Sequence, residues 1–548
     1  MAGLKNGGDF DAVVIGAGFS GLGMLRRLRD EMGMSVQVYE AATGVGGTWY
    51  WNRYPGARCD SESYTYCFTF SKELLHDWQW SGKYPEQPEI LTYLNHVADR
   101  FDLRRNVQFE TRVTSAKFLE DSNLWEIETD RGDRVTARYL VMGIGCISTG
   151  NIPKIKGLDS FEGDWYHTGN WPHHPVDFSG KKVAVIGTGS SGVQSIPVIA
   201  EQAEHLTVFQ RTPQYTVPAR HATADRCFIE EEVKPHYDEI IERMKWAHGG
   251  SPQIPHGRSA LDFSDEEREE IYEQAWAVGG NDFIYGSFGD VMTNKEANDT
   301  ASDFIRSKIR DTVKDPKTVE KLLPLDHPYG SKRALMDTNY FETYNRDNVC
   351  LVDLRRTPIQ EITPKGIRTS EKEFEFDAIV FATGFDAMTG TFMKIDILGR
   401  DGITLKDKWA EGPKTYLGLQ VAGFPNMFML TGPGSPSVLT NMPVAIEQHI
   451  EWVADFIDWM RTRDLETSEP NPKAEEDWGL HVNEVANKTL YMQANSWYLG
   501  ANIPGKPRVF MPYAGGMGTY RKRCDEIAEN GYEGFVLGTG AAKSAAVG

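Results

Sequence analysis

The sequence predicts an α/β protein made of two Rossmann-like dinucleotide-binding domains with a helical insertion. Three observations carry this reading. A strand, glycine loop and helix pattern opens the chain, a second copy begins at Lys182, and between Ala222 and Pro324 the composition turns to charged, helix-forming sequence.

The first unit starts with the apolar run Ala12 to Ile15, followed by G-x-G-x-x-G at Gly16, Gly18 and Gly21, with Ser20 inside it. The first glycine permits a tight turn, the second lets backbone approach a pyrophosphate, and the third lets helix pack on strand. A helical stretch, Leu22 to Glu31, presents its N-terminus to the phosphate charge, and a second apolar run, Ser35 to Tyr39, ends in Glu40. The second unit repeats this order: Lys182 to Ile186, then Gly187, Gly189, Ser190, Ser191 and Gly192, a helix from Val193 to Ala200, and the strand His205 to Phe209. Glu40 and Arg211 each lie 24 residues after the first glycine of their loop. An acid there accepts hydrogen bonds from ribose hydroxyls, whereas an arginine pairs with a 2′-phosphate, so the first site is expected to hold FAD and the second NADPH. The bland alternative for Arg211 is a solvated strand-end arginine.

In the insertion, Ser264 to Glu267 reads as a capping box opening an amphipathic helix, and Asp315-Pro316 as the start of another. A third strand signal, Ala378 to Ala382, runs into Thr383-Gly384-Phe385-Asp386, and is expected to lead the chain back to its first domain. The expected division is 1–146 for the first part of the FAD domain, 153–221 for the first part of the NADP domain, 222–329 for the insertion, 330–380 for the second part of the NADP domain, 381–537 for the second part of the FAD domain, and 538–548 as a disordered tail.

Composition excludes several function classes. Asp and Glu number 78 against 58 Lys and Arg, a net charge of −20, the wrong sign for a nucleic-acid or anionic-membrane binder. No apolar run approaches the roughly 20 residues that cross a bilayer. The six cysteines form no C-x-x-C pair and no metal-ligand spacing with histidine, so free thiols in the cytoplasm, no metal and no disulfide reductase are expected. The first ten residues lack the apolar core of a signal peptide.

Two longer motifs name a chemistry. Gly46-Gly47-Thr48-Trp49-Tyr50-Trp51-Asn52-Arg53-Tyr54-Pro55-Gly56 continues to Asp60, and Phe161, Gly163, His167, Trp171 and Pro172 stand in an F-x-G-x-x-x-H-x-x-x-W-P pattern just before the second glycine loop. Together they resemble the fingerprints of the single-chain, FAD- and NADPH-dependent Baeyer-Villiger monooxygenases. The resemblance runs from Asp11 to about Leu537 and is strongest to the branch of phenylacetone and steroid monooxygenases. Gly432 to Met442 looks like that branch's active-site loop, and Asn495 to Lys506 like its C-terminal NADPH-contacting segment.

The resemblance implies a set of roles. Gly16, Gly18, Ser20 and Gly21 cradle the FAD pyrophosphate, Glu40 holds the ribose, and Gly47, Thr48, Trp49, Tyr50, Trp51, Tyr66, Val113 and Met442 line the rest of the flavin site. Gly187, Gly189, Ser190, Ser191, Gly192 and Gln194 face the NADPH pyrophosphate, Arg211, Thr212 and Lys332 bind the 2′-phosphate, and Trp497 contacts the nicotinamide half. Arg333 matches the catalytic arginine, and Asp60 the carboxylate that aims it. The implied reaction uses NADPH and O2 to place one oxygen beside a ketone carbonyl through a C4a-peroxyflavin, giving an ester or lactone from an aryl, cyclic or steroid ketone, with no obligate protein partner. The chemistry fits the residues: the peroxide must stay an anion, and a guanidinium that cannot lose its proton stabilises it. His167 reads as a structural or hinge residue. The competing readings are an S- or N-oxygenating flavin monooxygenase, which does not need Arg333, and a non-catalytic flavin protein, which needs neither Arg333 nor Asp60.

Overall fold

The structure, a computed structural model, describes residues 8–539. Two sheets organise it. The first is eight-stranded. Its parallel heart is formed by Phe10–Ile15 between Val36–Tyr39 and Arg134–Met142, with Val107–Gln108 at one edge. Beyond Arg134–Met142 the antiparallel strands Leu124–Thr129 and Val113–Leu119 extend the sheet to Asp396–Leu398 at the other edge, and Met427–Met429 pairs with the end of Arg134–Met142. Strand periodicity decides which side chain faces which layer. Ala12 and Val14 enter a core shared with the helices Phe19–Arg26, Gln87–Arg100, Met442–Arg461 and Met517–Glu529, while Val13 and Ile15 face Trp125, Met427 and Met429.

The second sheet is five-stranded and parallel, in the order Val349–Asp353, His205–Gln210, Lys182–Ile186, Ala378–Phe381, Asp164–His167. Val183 and Val185 face the insertion, and Ala184 and Ile186 face a small antiparallel sheet carrying Ile362 and Ile367. The expected returning strand lies inside the second sheet, between Lys182–Ile186 and Asp164–His167. The return follows at Gly384. There the two connections between the units run together: Asn151 N–H donates to Gly384 C=O (2.8 Å), Thr383 Oγ1 to Asn151 C=O (2.5 Å) and Asp386 N–H to Thr149 C=O (2.8 Å).

Among the described residues the segment from Ala222 to Pro324 is helical and contains no strand. Ser264 caps Asp265–Val278 with Glu267 reciprocating, and Asp315 caps Pro316–Leu322. At the C-terminus Gly538 and Thr539, read from sequence as tail, are the end of the strand Phe535–Thr539 paired with Leu465–Pro470. Gly538 has no side chain and Thr539 is exposed, so the pair carries no apolar signal that would extend that strand. The remainder of the expected tail lies outside the described residues. No helix among them is long and apolar enough to cross a membrane.

Candidate active site

Both glycine loops have the geometry that nucleotide binding asks of them. Gly16 and Gly187 adopt φ of +98° and +111°, a region that L side chains rarely enter. A Cβ on Gly21 or Gly192 would stand 1.8 or 2.3 Å from the carbonyl of the first glycine of its loop. Nothing lies within 4 Å of the place where a Cβ of Gly189 would be, which leaves that face open to a pyrophosphate. Gly18 faces Gly47 instead: a Cβ on Gly47, at φ +53°, would come 2.9 Å from the Gly18 Cα. Ser20 lies in the first turn of Phe19–Arg26, and Ser190 and Ser191 open Ser190–Gln202. Neither helix has a capping side chain or an acid in its first turn, so the free N–H groups suit a phosphate.

Glu40 is buried, and its two oxygens accept from Ala17 N–H (2.6 Å) and Ala42 N–H (2.8 Å). Burial pushes its pKa up, and these backbone donors pull it back. The carboxylate is thereby fixed at the end of Val36–Tyr39, where ribose hydroxyls arrive. Val113 is in the core, 3% exposed, and can offer a ligand little beyond its main chain. Thr48–Trp51 is one helical turn behind Gly47. Trp49 Nε1 donates to Tyr66 Oη (3.3 Å), the Tyr66 ring stands edge-on to Trp49 and Phe19, and Thr43 and Tyr50 share a 2.6 Å hydroxyl contact.

The second fingerprint meets this wall directly. Trp171 N–H donates to Trp51 C=O (3.3 Å), and His173 packs on Tyr50. Its histidine, His167, ends the edge strand Asp164–His167 rather than lying in a free connection. It is buried against the paired linkers: its Nδ1 accepts from Gly169 N–H (3.0 Å), and a Cβ on Gly150 would come 2.8 Å from its ring.

Asp60 and Arg333 come together with Arg333 Nη2 3.6 Å from Asp60 Oδ2. The Asp60 side chain is 8% exposed, that of Arg333 41%. Gln194 completes the group. Its amide nitrogen donates to Asp60 Oδ1 (3.1 Å) and Arg58 C=O (3.2 Å), and its amide oxygen accepts from Tyr54 Oη (2.8 Å). Gln194 sits in the second turn of its helix, and its side chain serves this carboxylate rather than facing a phosphate. Burial raises the Asp60 pKa, and Arg333 and then Gln194 oppose that rise. For Arg333 partial desolvation is the largest influence and works against the charge, and Asp60, Tyr498, Tyr285 and Cys59 together outweigh it. Neither tyrosine was singled out from sequence. Tyr498 follows Trp497 and so sat within a quoted motif; Tyr285, in the insertion, carried no signal.

Arg211, Thr212 and Lys332 are the residues expected at a 2′-phosphate. Arg211 follows His205–Gln210 and is exposed, with Thr212 next to it; Thr212 C=O accepts from Thr188 Oγ1 (3.1 Å). Burial lowers the Lys332 pKa, Asp326 resists, and the positive charges of Arg211 and Arg355 lower it further. Trp497 and Met442 share an apolar cluster with Cys146, Met388, Met511 and Val438. Met442 opens the helix Met442–Arg461, whose preceding Asn441 donates to Thr65 C=O (2.9 Å). Among the described residues no group of His, Cys, Asp and Glu has the arrangement of a metal site.

Known proteins share this arrangement. The family model "Flavin-binding monooxygenase-like" matches residues 11–222. A Baeyer-Villiger monooxygenase of Pseudooceanicola batsensis is 48% identical over 97% of this chain and 96% of its own. Oxidized steroid monooxygenase bound to NADP superposes with a TM-score of 0.92 at 53% identity, covering 97% of this chain and 100% of that one. OTEMO in complex with FAD and NADP gives 0.93 at 43% identity, over 97% and 99%. With both glycine loops, the fingerprint and near-complete coverage in agreement, the chain belongs to the FAD- and NADPH-dependent, type I Baeyer-Villiger monooxygenases.

Proposed function

We propose that this protein uses NADPH and O2 to insert one oxygen beside a ketone carbonyl, yielding an ester or lactone, with Arg333 and Asp60 as its catalytic pair. The observation that carries the reading is the Asp60–Arg333 contact, joined by Gln194 from the second nucleotide unit. FAD belongs with residues 1–146 and 381–537, and NADPH with 153–221 and 330–380. When bound, the flavin accepts a hydride from NADPH and activates oxygen; the chain's own residues do the rest. Glu40 and the first glycine loop anchor FAD, while the second loop, Arg211, Thr212 and Lys332 set the reach of the nicotinamide. Arg333 supplies a positive charge that does not dissociate, at the cleft where negative charge develops on oxygen. Asp60 aims the guanidinium and tempers its field, and Gln194 keeps Asp60 turned toward it. The aromatic wall of Trp49, Tyr54 and Tyr66, all buried, excludes water, which strengthens each of these interactions.

The substrate is an aryl, cyclic or steroid ketone entering beside Val438, Leu439 and Trp497. The six unpaired cysteines support a reducing compartment, the cytoplasm, and the enzyme works on small molecules without an obligate protein partner. NADPH consumption in air, with and without ketone, tests the reading. Ketone-stimulated oxidation with ester formed in step is expected; stimulation by sulfides alone would reject it.

A further inference from the structure

One cation beside Arg211 and Lys332, Arg355, was given no role by the sequence. Arg355 follows the strand Val349–Asp353, the direct neighbour of His205–Gln210, and Asp353 pairs with Gln210. Arg211 and Arg355 therefore leave the sheet side by side, at the ends of adjacent parallel strands, where this fold places the far ribose of a dinucleotide.

The guanidinium of Arg355 is held loosely from two sides. Nε lies 3.5 Å from Asp353 Oδ1 and Nη1 3.5 Å from Asp326 Oδ2, and its side chain is 43% exposed. Nη2 makes no hydrogen bond among the described residues. A cavity of about 270 Å³ opens against it beside Leu323 and Leu325. Asp326 is itself fixed by buried His327, whose Nδ1 is 2.7 Å from Asp326 Oδ1 and whose ring stands edge-on to Tyr215 at 5.3 Å. Arg356 is a poorer candidate, 75% exposed and 3.8 Å from Asp353.

The charges do not balance locally. Arg211 and Arg355 each act on Lys332 as a like charge, and neither Arg211 nor Lys332 has an ion-pair partner within 4 Å among the described residues. Of the nearby anions, Asp326 and Asp353 are already engaged by Arg355, and Glu320 lines the cavity beside it. Like charges gathered at this density call for an external anion, and a phosphate with three free oxygens matches an arginine fork with an unused nitrogen.

We propose that Arg355 is a third side chain for the 2′-phosphate of NADPH, held in readiness by Asp326 and Asp353. The proposal rests on the reading that Arg211 and Lys332 face that phosphate.

Calorimetric titration of the FAD-loaded protein with NADP⁺ and with NAD⁺ tests it without turnover. Arg355→Ala should weaken NADP⁺ about tenfold, as for one lost charge-assisted contact, and leave NAD⁺ within about twofold. The NADP⁺ loss should shrink in about 0.5 M NaCl, which screens exposed charges. Arg355→Lys, which keeps the charge and loses the fork, should fall between. Arg211→Ala is measured in parallel. If it weakens NADP⁺ while Arg355→Ala does not, the assignment of Arg355 is wrong and the underlying reading stands. Equal losses for NADP⁺ and NAD⁺ in Arg355→Ala would also overturn the assignment. If Arg211→Ala leaves NADP⁺ binding intact, the phosphate site itself is misplaced and the proposal falls with it.

Discussion

At the scale of single residues, the chemistry depends on one guanidinium and what aims it. Arg333→Ala should fold and retain FAD, since Glu40 and the first glycine loop are untouched. Flavin reduction by NADPH should persist, because hydride transfer depends on nicotinamide placement. Ester formation should fall by about 100-fold or more, the usual loss for a group that stabilises developing oxyanion charge, with reducing equivalents appearing as hydrogen peroxide. Arg333→Lys should restore only part, as an ammonium lacks the planar fork. Asp60→Ala should be milder, because it removes the aim and not the charge. Product chromatography alongside a peroxide assay measures all three, and ester at the wild-type rate from Arg333→Ala would refute this mechanism.

At the scale of elements, two contacts of the C-terminal part tie local structure to stability and selectivity. Glu447, inside the helix Met442–Arg461, accepts from the Thr69 main-chain N–H (2.7 Å) and hydroxyl (2.5 Å), and burial pushes its pKa up to about 7. An unfolded chain gives up that proton near pH 4.5. Stability from this group is therefore whole below that pH and is lost as pH rises through 7, by roughly 3 kcal/mol. Glu447→Gln should gain stability relative to wild type across that window; denaturant melts that differ by a constant amount at every pH would contradict this. The loop before the same helix is held differently. Ser437 adopts φ +42° without being glycine, and its hydroxyl lies 3.0 Å from Cys146 Sγ and 3.7 Å from Met388 Sδ. Such strain persists only where the surroundings over-determine it. Deleting Ser437 and Val438, or enlarging Leu439, should change ketone selectivity while FAD stays bound. Identical product ratios across aryl, cyclic and steroid ketones would remove this loop from the pocket.

At the scale of the whole molecule, one meeting of the two nucleotide units is nearly closed. Gly56, at φ +80°, leaves so little room that a Cβ would stand 2.3 Å from the Gln194 carbonyl. Gly56→Ala should push the units apart at a cost of about 1–3 kcal/mol, lowering ester formed per NADPH consumed more than NADP⁺ affinity. Wild-type coupling in that variant would show that the close approach is dispensable. The same geometry explains what could be read from the chain alone. The glycine loops, the strand and helix order, Glu40 against Arg211, and the caps at Ser264 and Asp315 were legible because each depends on residues a few positions apart. The family resemblance marked Asp60 and Arg333, without placing them. That the strand Ala378–Phe381 lies inside the second sheet, that His167 ends an edge strand, that Gln194 turns from a phosphate loop to Asp60, and that Tyr285 and Arg355 join the two ends of the site were decided by tertiary structure alone. Sheet pairing and side-chain meeting bring together groups far apart in the chain, and they follow from how whole layers pack, which no local pattern of residues encodes.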